Sequence, residues 1–168
     1  MNAAQEDIIR TLQLKPHPEG GYFRETYRST GEILPDSLSE KFSGKRNYST
    51  CIYYLLTSAA FSAFHRILQD ETWHFYDGSP LCLHMISIHG NYEEVLIGRD
   101  IKSGQVPQFT IPGGTWFAAN VINPDEFSLV GCTVAPGFDF ADFEMGKREE
   151  MLKRFIQHQS IIEQFTQE

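Results

Sequence analysis

The sequence has few basic residues and no long apolar run. Its 168 residues include 14 Lys and Arg against 22 Asp and Glu, a formal net charge of −8. Its basic runs are no longer than two residues, as in Lys45-Arg46, whereas a surface that binds a phosphate backbone needs many clustered basic side chains. No apolar stretch approaches the roughly 20 residues of a membrane span, and the early Glu6 and Asp7 do not fit a secretory signal. We therefore predict a cytoplasmic protein that binds neither nucleic acid nor membranes.

Cysteine is also scarce. Cys51, Cys82 and Cys132 are the cysteines of the chain, and no two of them form a CxxC pair. An odd number at wide spacing does not suit a disulfide framework. We expect reduced, buried thiols, as in cytosolic proteins.

Aromatic residues, in contrast, are plentiful. They make up 13% of the chain, with 13 Phe and 7 Tyr, a content that suits both packed β-structure and an aromatic-lined cavity. The length suits one domain over residues 1–168, with a β-barrel core at about 20–140 and C-terminal helices at about 145–166.

Short alternating segments separated by turn residues dominate the middle of the chain. They predict an all-β sandwich or closed barrel, with a short helix over residues 3–14 and helical periodicity over residues 147–164. Residues 29–47 are rich in Ser, Gly and charge, and predict a surface loop or an ordered lid. The predicted strands cover residues 22–28, 50–57, 61–67, 71–77, 81–89, 92–98, 108–111, 115–120 and 127–134.

His65 and Glu71 are the main candidates for chemistry. Alternation along residues 61–67 places His65 on the face of Phe61, Ala63 and Ile67, which predicts that its imidazole points inward. Glu71 begins the next strand, and an interior carboxylate is costly unless it is paired. We therefore expect Glu71 to meet His65 in the interior.

His74 and Tyr76 have the opposite parity to Glu71 on the same predicted strand. In a regular strand they face outward, toward solvent or a dimer interface. A β-bulge would reverse the parity and bring them inward, and bulges are frequent beside active sites. Both residues are therefore candidates for a catalytic role.

The spacing of His65, Glu71 and Gly78 resembles the first motif of the cupin superfamily, which has two His separated by one residue, then Glu, then Gly. The position of the second His holds Ile67. Pro112 and Gly114 resemble the second motif, which continues to a His. That position holds Phe117, so two of four expected metal ligands are missing and no cofactor is predicted.

A longer resemblance covers nearly the whole chain. Residues 14–28, 49–56, 73–78 and 134–140 are similar to cupin family five, a group of domains of unknown function similar in shape to dTDP-sugar 3,5-epimerases. The resemblance implies a cupin-type jelly-roll barrel, a homodimer, and a pocket in the mouth of the barrel. It does not imply a substrate, because a fold does not fix a function.

Further side chains are candidates for ligand contacts. Arg24 and Glu25 face opposite ways on their strand, so that one could reach a pocket and the other a partner subunit, or both could form a solvated face. Trp116 or Phe117 should line the cavity, because both follow the glycine-rich turn that opens their strand. Tyr54 and Phe138, which lie in the family-like segments, complete the set.

Three functions remain open from the sequence. In a metal-independent epimerase or isomerase, His65 would be the general base, its pKa set by burial and by Glu71, and His74 or Tyr76 the proton donor. A binding or sensing protein would hold a small polar metabolite, sugar-like or carboxylated, without chemistry. A divergent metal enzyme would use His65, Glu71 and His74 as ligands of a divalent ion.

Overall fold

Two antiparallel β-sheets facing each other form most of the molecule. The structure, a computed structural model, describes residues 2–167, so residues 1 and 168 of the predicted domain lie outside the described residues. The strands are β1 Lys15–Pro16, β2 Tyr22–Arg28, β3 Glu32–Ile33, β4 Arg46–Asn47, β5 Thr50–Thr57, β6 Phe61–Ile67, β7 Asp70–Gly78, β8 Leu81–Ile86, β9 Tyr92–Ile97, β10 Gln108–Ile111, β11 Trp116–Val121, β12 Phe127–Ala135 and β13 Phe143–Met145. The α-helices are α1 Ala3–Thr11, α2 Arg148–Arg154 and α3 Gln159–Gln164.

One sheet has the strand order β1-β2-β5-β12-β7-β10, the other β13-β6-β11-β8-β9, and β3 pairs with β4 as a small hairpin. The inner faces enclose a core that includes Tyr54, Trp73, Leu83, Ile97 and Val130. This arrangement confirms the predicted β-rich fold with helices at both ends.

The alternation of apolar residues located the longer strands well. The predicted bounds of β2, β5, β6 and β10 are the observed ones. The sequence did not reveal β1, β3, β4 and β13, because two or three residues contain too little alternation to read. The segment predicted as a surface loop or an ordered lid, residues 29–47, contains the β3-β4 hairpin and a 3₁₀ helix at Pro35–Ser37.

The C-terminal helices cover the outer face of the five-stranded sheet. Phe64 and Trp116 of that sheet pack with Met151, Phe155 and Phe165 in a second apolar cluster. Burial of such side chains contributes about 1.5–3 kcal/mol each. Within residues 2–167, none of the helices is long and apolar enough to cross a membrane.

A β-bulge in β6 decides which side chains reach the interior. Opposite β11, Phe117 pairs with His65 but Ala119 pairs with Ser62, so β6 carries one extra residue. Phe61 consequently packs on the outside, with its ring 5.6 Å from Phe165, and the prediction that it faces inward was wrong. His65 is buried as predicted.

Candidate functional site: a cavity beside the N-terminal segment

A cavity of about 290 Å³ opens beside residues 14–21, here called the leader segment. Its wall combines acid–base groups with a larger apolar surface, as is usual for small-molecule sites. The lining residues are His17, Glu19, Phe23, Glu25, Arg28, Thr50, Ile52, Tyr54, His65, Ile67, Glu71, Cys132, Val134, Phe138, Asp139, Phe140 and Phe143.

His65 is held by two hydrogen-bond partners. Its Nδ1 lies 2.7 Å from the carbonyl oxygen of Ala63, and its Nε2 lies 3.0 Å from Oε2 of Glu19. A carbonyl oxygen only accepts, so Nδ1 carries a proton. The predicted partner of His65 was Glu71; the structure pairs it with Glu19 instead, because the leader segment folds over β6.

The His65–Glu19 pair carries opposite charges. Burial acts to raise the pKa of Glu19, but His65, His17 and a hydrogen bond from Ser62 lower it to about 2. Burial acts to lower the pKa of His65, but the charge and hydrogen bond of Glu19 raise it above 6.5. His65 is therefore an imidazolium with both nitrogens occupied, which leaves it no lone pair to act as a base.

Gly20 lets Glu19 reach this position. The backbone of Gly20 has φ of 115°, and a Cβ there would lie 2.1 Å from the carbonyl oxygen of Phe61. Only glycine tolerates both the conformation and the close approach. The backbone oxygen of Glu19 accepts from the amide of Ala63 at 2.8 Å, which fixes the leader segment on β6.

His17 presents a second imidazole to the cavity. Its Nδ1 accepts a hydrogen bond from the backbone N–H of Glu19 at 3.4 Å and lies 3.3 Å from Oε2 of the same residue. Burial lowers the pKa of His17, while Glu19 raises it and His65 lowers it, with a net decrease below 6.5. His17 is therefore neutral near pH 7, and its Nε2 has no hydrogen-bond partner within residues 2–167.

Glu71 is a further titratable group of the wall. Its side chain is buried, and no cationic side chain of residues 2–167 lies within 4 Å of its carboxylate. Burial and the negative charge of Glu19 raise the pKa of Glu71 to about 7, although His65 lowers it. Near neutral pH this carboxyl group exchanges a proton with little free-energy cost.

Arg28 and Glu25 form an ion pair on the cavity wall. The guanidinium Nη2 lies 2.7 Å from Oε2 of Glu25, and Nη1 donates to Asn47 Oδ1 at 2.9 Å and to the carbonyl oxygen of Phe138 at 3.1 Å. These bonds connect β2 to the β3-β4 hairpin and to the segment after β12. The positive charge of Arg28 is thereby neutralised by Glu25, and its guanidinium N–H groups are bonded within the protein.

Two of the predicted ligand contacts belong to the wall. Tyr54 is fully buried and donates from its hydroxyl to the carbonyl oxygen of Gly20 at 2.9 Å. Phe138 packs edge-to-face with Phe140, with ring centroids 5.0 Å apart. Phe117 lies behind the wall, its ring centroid 4.0 Å from that of His65, and supports the imidazole rather than lining the cavity.

The other predicted site residues point away from the cavity. Trp116 belongs to the helix-covered cluster, where the guanidinium of Arg66 lies 4.5 Å from its ring. Arg24 is on the outer face of β2, its guanidinium 5.7 Å from the ring of Tyr53. The alternation of β2 and β11 accounts for both placements.

His74 and Tyr76 remain on the outer face of the six-stranded sheet. His74 Nε2 lies 3.1 Å from Thr133 Oγ1, and Tyr76 is 51% exposed. The bulge that would turn them inward exists, but it lies at Tyr76, between the Asp77–Leu129 and Phe75–Val130 pairs. It comes too late in β7 to reverse His74.

The sequence patterns do not single out His17 and Glu19 as site residues. Both occur in the run His17-Pro18-Glu19-Gly20-Gly21, which joins the predicted N-terminal helix to the first predicted strand. The available signal was a His and a Glu directly before two glycines, since glycines often mark a close backbone approach.

The cavity residues do not suit a metal ion of the kind the cupin motifs imply. Both nitrogens of His65 are engaged, and His74 faces the opposite side of its sheet. Ile67 and Phe117 offer no donor atoms. The predicted ligand set of His65, Glu71 and His74 therefore does not converge on one point.

Comparison with known proteins identifies the family. The model of the cupin superfamily (DUF985) matches residues 6–146. This chain belongs to that family. An uncharacterised protein of Saccharomyces cerevisiae, YML079W, is 33% identical over 160 residues, covering 90% of this chain and 79% of the yeast protein.

Two solved structures share the fold of this chain over nearly its full length. A hypothetical protein from Leishmania major has a TM-score of 0.89 and 35% identity, covering 97% of this chain and 98% of its own. Protein SO0799 from Shewanella oneidensis has a TM-score of 0.87 and 38% identity, covering 99% of this cupin and 98% of its own chain.

Proposed function

We propose that this cupin binds a small polar metabolite in the cavity and catalyses a metal-independent proton transfer of the isomerase or epimerase type. This proposal rests on the observation that a neutral imidazole, His17, and a carboxyl group with a pKa of about 7, Glu71, belong to the wall of one cavity. Stereochemical or positional isomerisation needs one group that removes a proton and one that returns it.

His17 is the general base in this proposal. As a base, His17 acts in the tautomer with its proton on Nδ1, directed to Glu19 Oε2 at 3.3 Å in place of the hydrogen bond that Nδ1 accepts from the Glu19 amide. The lone pair of Nε2 is then available to the substrate. The base takes a proton from carbon, and the electron pair moves to the adjacent carbonyl. His65 has a positioning role, because it fixes the charge and orientation of Glu19.

Glu71 is the general acid. With its pKa near 7, a large fraction is protonated at neutral pH, and it donates to the carbonyl oxygen as the enol forms. His17 then returns its proton to the neighbouring carbon of the enediol, while Glu71 takes a proton from the other hydroxyl, so the isomer forms without net consumption of protons. The buried Glu71 would otherwise be an unexplained cost to folding.

The cavity favours a neutral, polar ligand over a strongly anionic one. Arg28 is paired with Glu25, His65 with Glu19, and Asp139 adds a negative charge to the wall. A volume of about 290 Å³ is at the lower end for ligand pockets, which suits a molecule of monosaccharide size. The aromatic side chains offer faces for its C–H groups.

The test is solvent exchange of a substrate proton. The protein is incubated in D₂O with a panel of aldoses, ketoses and hydroxyketones, and deuterium on carbon is followed by NMR and mass spectrometry. Exchange or isomer formation is expected with a member of the panel. His17→Asn and Glu71→Gln should each reduce the rate by about 10²-fold or more.

His74→Asn is the matched control, because it removes an imidazole on the outer face of β7. It should retain the full rate. Binding seen as a ligand-induced rise in Tm, without exchange for any binder, would leave a sensing or binding protein and overturn the catalytic proposal.

We also propose a homodimer formed through the outer face of the six-stranded sheet. Tyr76 lies over Gly131, where a Cβ would come 2.1 Å from its hydroxyl, and its ring is 6.0 Å from that of Tyr53. This flat aromatic surface remains exposed, whereas helices cover the other sheet. Light scattering after gel filtration should give twice the chain mass, and Tyr76→Asp should give a monomer; a monomeric wild type would contradict the proposal.

A further inference from the structure

A second cluster of potential ligands lies on the outer face of the five-stranded sheet, away from the cavity. Cys82 and His84 share one face of β8, and Glu94 on β9 is paired opposite His84. One donor atom from each residue lies within 4.8 Å of the others. Thiolate, imidazole and carboxylate together form a donor set that borderline divalent ions such as Zn²⁺ prefer.

Neighbouring residues fix the tautomer of His84. Asn120 donates its amide Nδ2 to the carbonyl oxygen of Val121 at 3.2 Å, which turns its Oδ1 toward His84 Nε2 at 2.7 Å. Nε2 therefore carries the proton and Nδ1 is left with a lone pair in the neutral ring. A carbonyl-type partner on the far nitrogen is the usual support of a metal-bound histidine.

The hydrogen-bond acceptors between His84 and Glu94 outnumber the protons available to them. Tyr92 Oη lies 2.8 Å from His84 Nδ1 and 2.5 Å from Glu94 Oε1, and its single proton can serve only one of the two. Glu94 Oε1 is itself 3.5 Å from His84 Nδ1. A cation at the centre would satisfy all of these acceptors at once.

The separations are close to those of a tetrahedral site. With Zn–S of about 2.3 Å and Zn–N of about 2.0–2.1 Å, ligand atoms lie roughly 3.3–3.6 Å apart. The observed Cys82 Sγ to His84 Nδ1 distance is 4.0 Å. Closing the difference needs Cys82 Sγ to move about 0.4–0.7 Å toward His84 Nδ1.

We propose that Cys82, His84 and Glu94 bind one Zn²⁺-like divalent ion, with the remaining position open to solvent on the Glu94 side. Both Cys82 and His84 are buried, at 5% and 6% exposure, while Glu94 is exposed and gives the ion an entry path. The His84 ring stacks on Phe165, with centroids 4.6 Å apart. The ion would thus tie β8 and β9 together beneath the C-terminal segment.

Cobalt binding tests this site, because a thiolate ligand gives Co²⁺ an intense near-ultraviolet charge-transfer band. The full chain, reduced and freed of metal with a chelator, is titrated with Co²⁺ and then with Zn²⁺. We expect one Co²⁺ per chain with that band, and its loss on addition of Zn²⁺. Absence of the band in the wild type would overturn the proposal.

Variants assign the ligands. Cys82→Ser should abolish the band, and Glu94→Gln, a substitution at an exposed side chain, should weaken Co²⁺ binding at least tenfold. Cys51→Ser, which changes a thiol of the other sheet, is the matched control and should keep the band. A band that survives in both Cys82→Ser and Glu94→Gln, or that disappears in Cys51→Ser, would contradict the assignment. If Cys82→Ser does not fold, Glu94→Gln decides.

Discussion

Glu19 Oε2 lies 3.0 Å from His65 Nε2, and both side chains are buried. Glu19 thereby carries the negative charge that the imidazolium needs, while Glu71 remains without a cationic partner. The two carboxylates of the cavity consequently have pKa values on opposite sides of the ordinary one, about 2 for Glu19 and about 7 for Glu71. Such divergence typically separates a permanently charged group from one that transfers protons.

Glu19→Gln should destabilise the protein by about 3–5 kcal/mol at pH 6, because it leaves the buried His65 charge without its partner. Glu25→Gln, which breaks the more exposed pair with Arg28, should cost at most about 1 kcal/mol. Urea denaturation gives both free energies of unfolding. Equal losses in the two variants would show that the buried pair has no special weight.

The contribution of this pair should also depend on pH. The lowered pKa of Glu19 gives stability that is present above pH 4.5 and lost as the pH falls toward 2. The raised pKa of His65 gives stability that is complete below pH 6.5 and lost as the pH rises through the folded-state value. The difference between wild type and Glu19→Gln should therefore be largest between pH 4.5 and 6.5; a difference that grows steadily to pH 9 would contradict this.

Glu71→Gln should stabilise the protein at high pH. The pKa of Glu71 is raised from 4.5 to about 7 in the folded state, so wild type loses stability as the pH rises between these values. Above pH 7 the loss amounts to at most about 3 kcal/mol. Urea midpoints at pH 5 and pH 8 should show a gain for Glu71→Gln that is clearly larger at pH 8, and a gain independent of pH would disprove it.

Asp142→Asn should be strongly destabilising. Asp142 accepts from Arg46 at 2.5 Å with both side chains buried, and this pair ties the β3-β4 hairpin to the segment that carries the wall residues Phe138 and Phe140. Loss of one partner should cost about 3–5 kcal/mol. Glu144→Gln, which breaks the exposed pair with Arg66, is the control, with an expected cost of at most about 1 kcal/mol.

Gly20→Ala should destabilise the protein more than Gly104→Ala does. Both glycines have positive φ, but a Cβ at Gly20 would meet the carbonyl oxygen of Phe61 whereas nothing lies within 4 Å of one at Gly104. The control measures the conformational cost, about 1–2 kcal/mol. The clash in Gly20→Ala should lower the free energy of unfolding by roughly a further 1–3 kcal/mol. Thermal denaturation should therefore give Gly20→Ala a lower Tm than Gly104→Ala. Similar Tm values in the two variants would refute the close approach.

The side chains that line the cavity could be predicted only in part from the alternation of residues along each strand. The pattern of β6 placed His65 in the interior, but the bulge that moves Phe61 outward leaves no mark in the alternation. The face on which His74 and Tyr76 lie depends on the exact position of another bulge, in β7. One residue of register reverses every later side chain in a strand, so such predictions need the pairing partner.

Composition, alternation of apolar residues and the family-like segments determined the β-rich cupin fold, the longer strands and the burial of His65. These features are properties of neighbouring residues and can be read along the chain. The partner of His65, the freedom of Glu71 and the meeting of Cys82, His84 and Glu94 were decided only by the tertiary structure. Each depends on contacts between strands or segments distant in sequence, where a shift of a few ångströms changes which charge is neutralised.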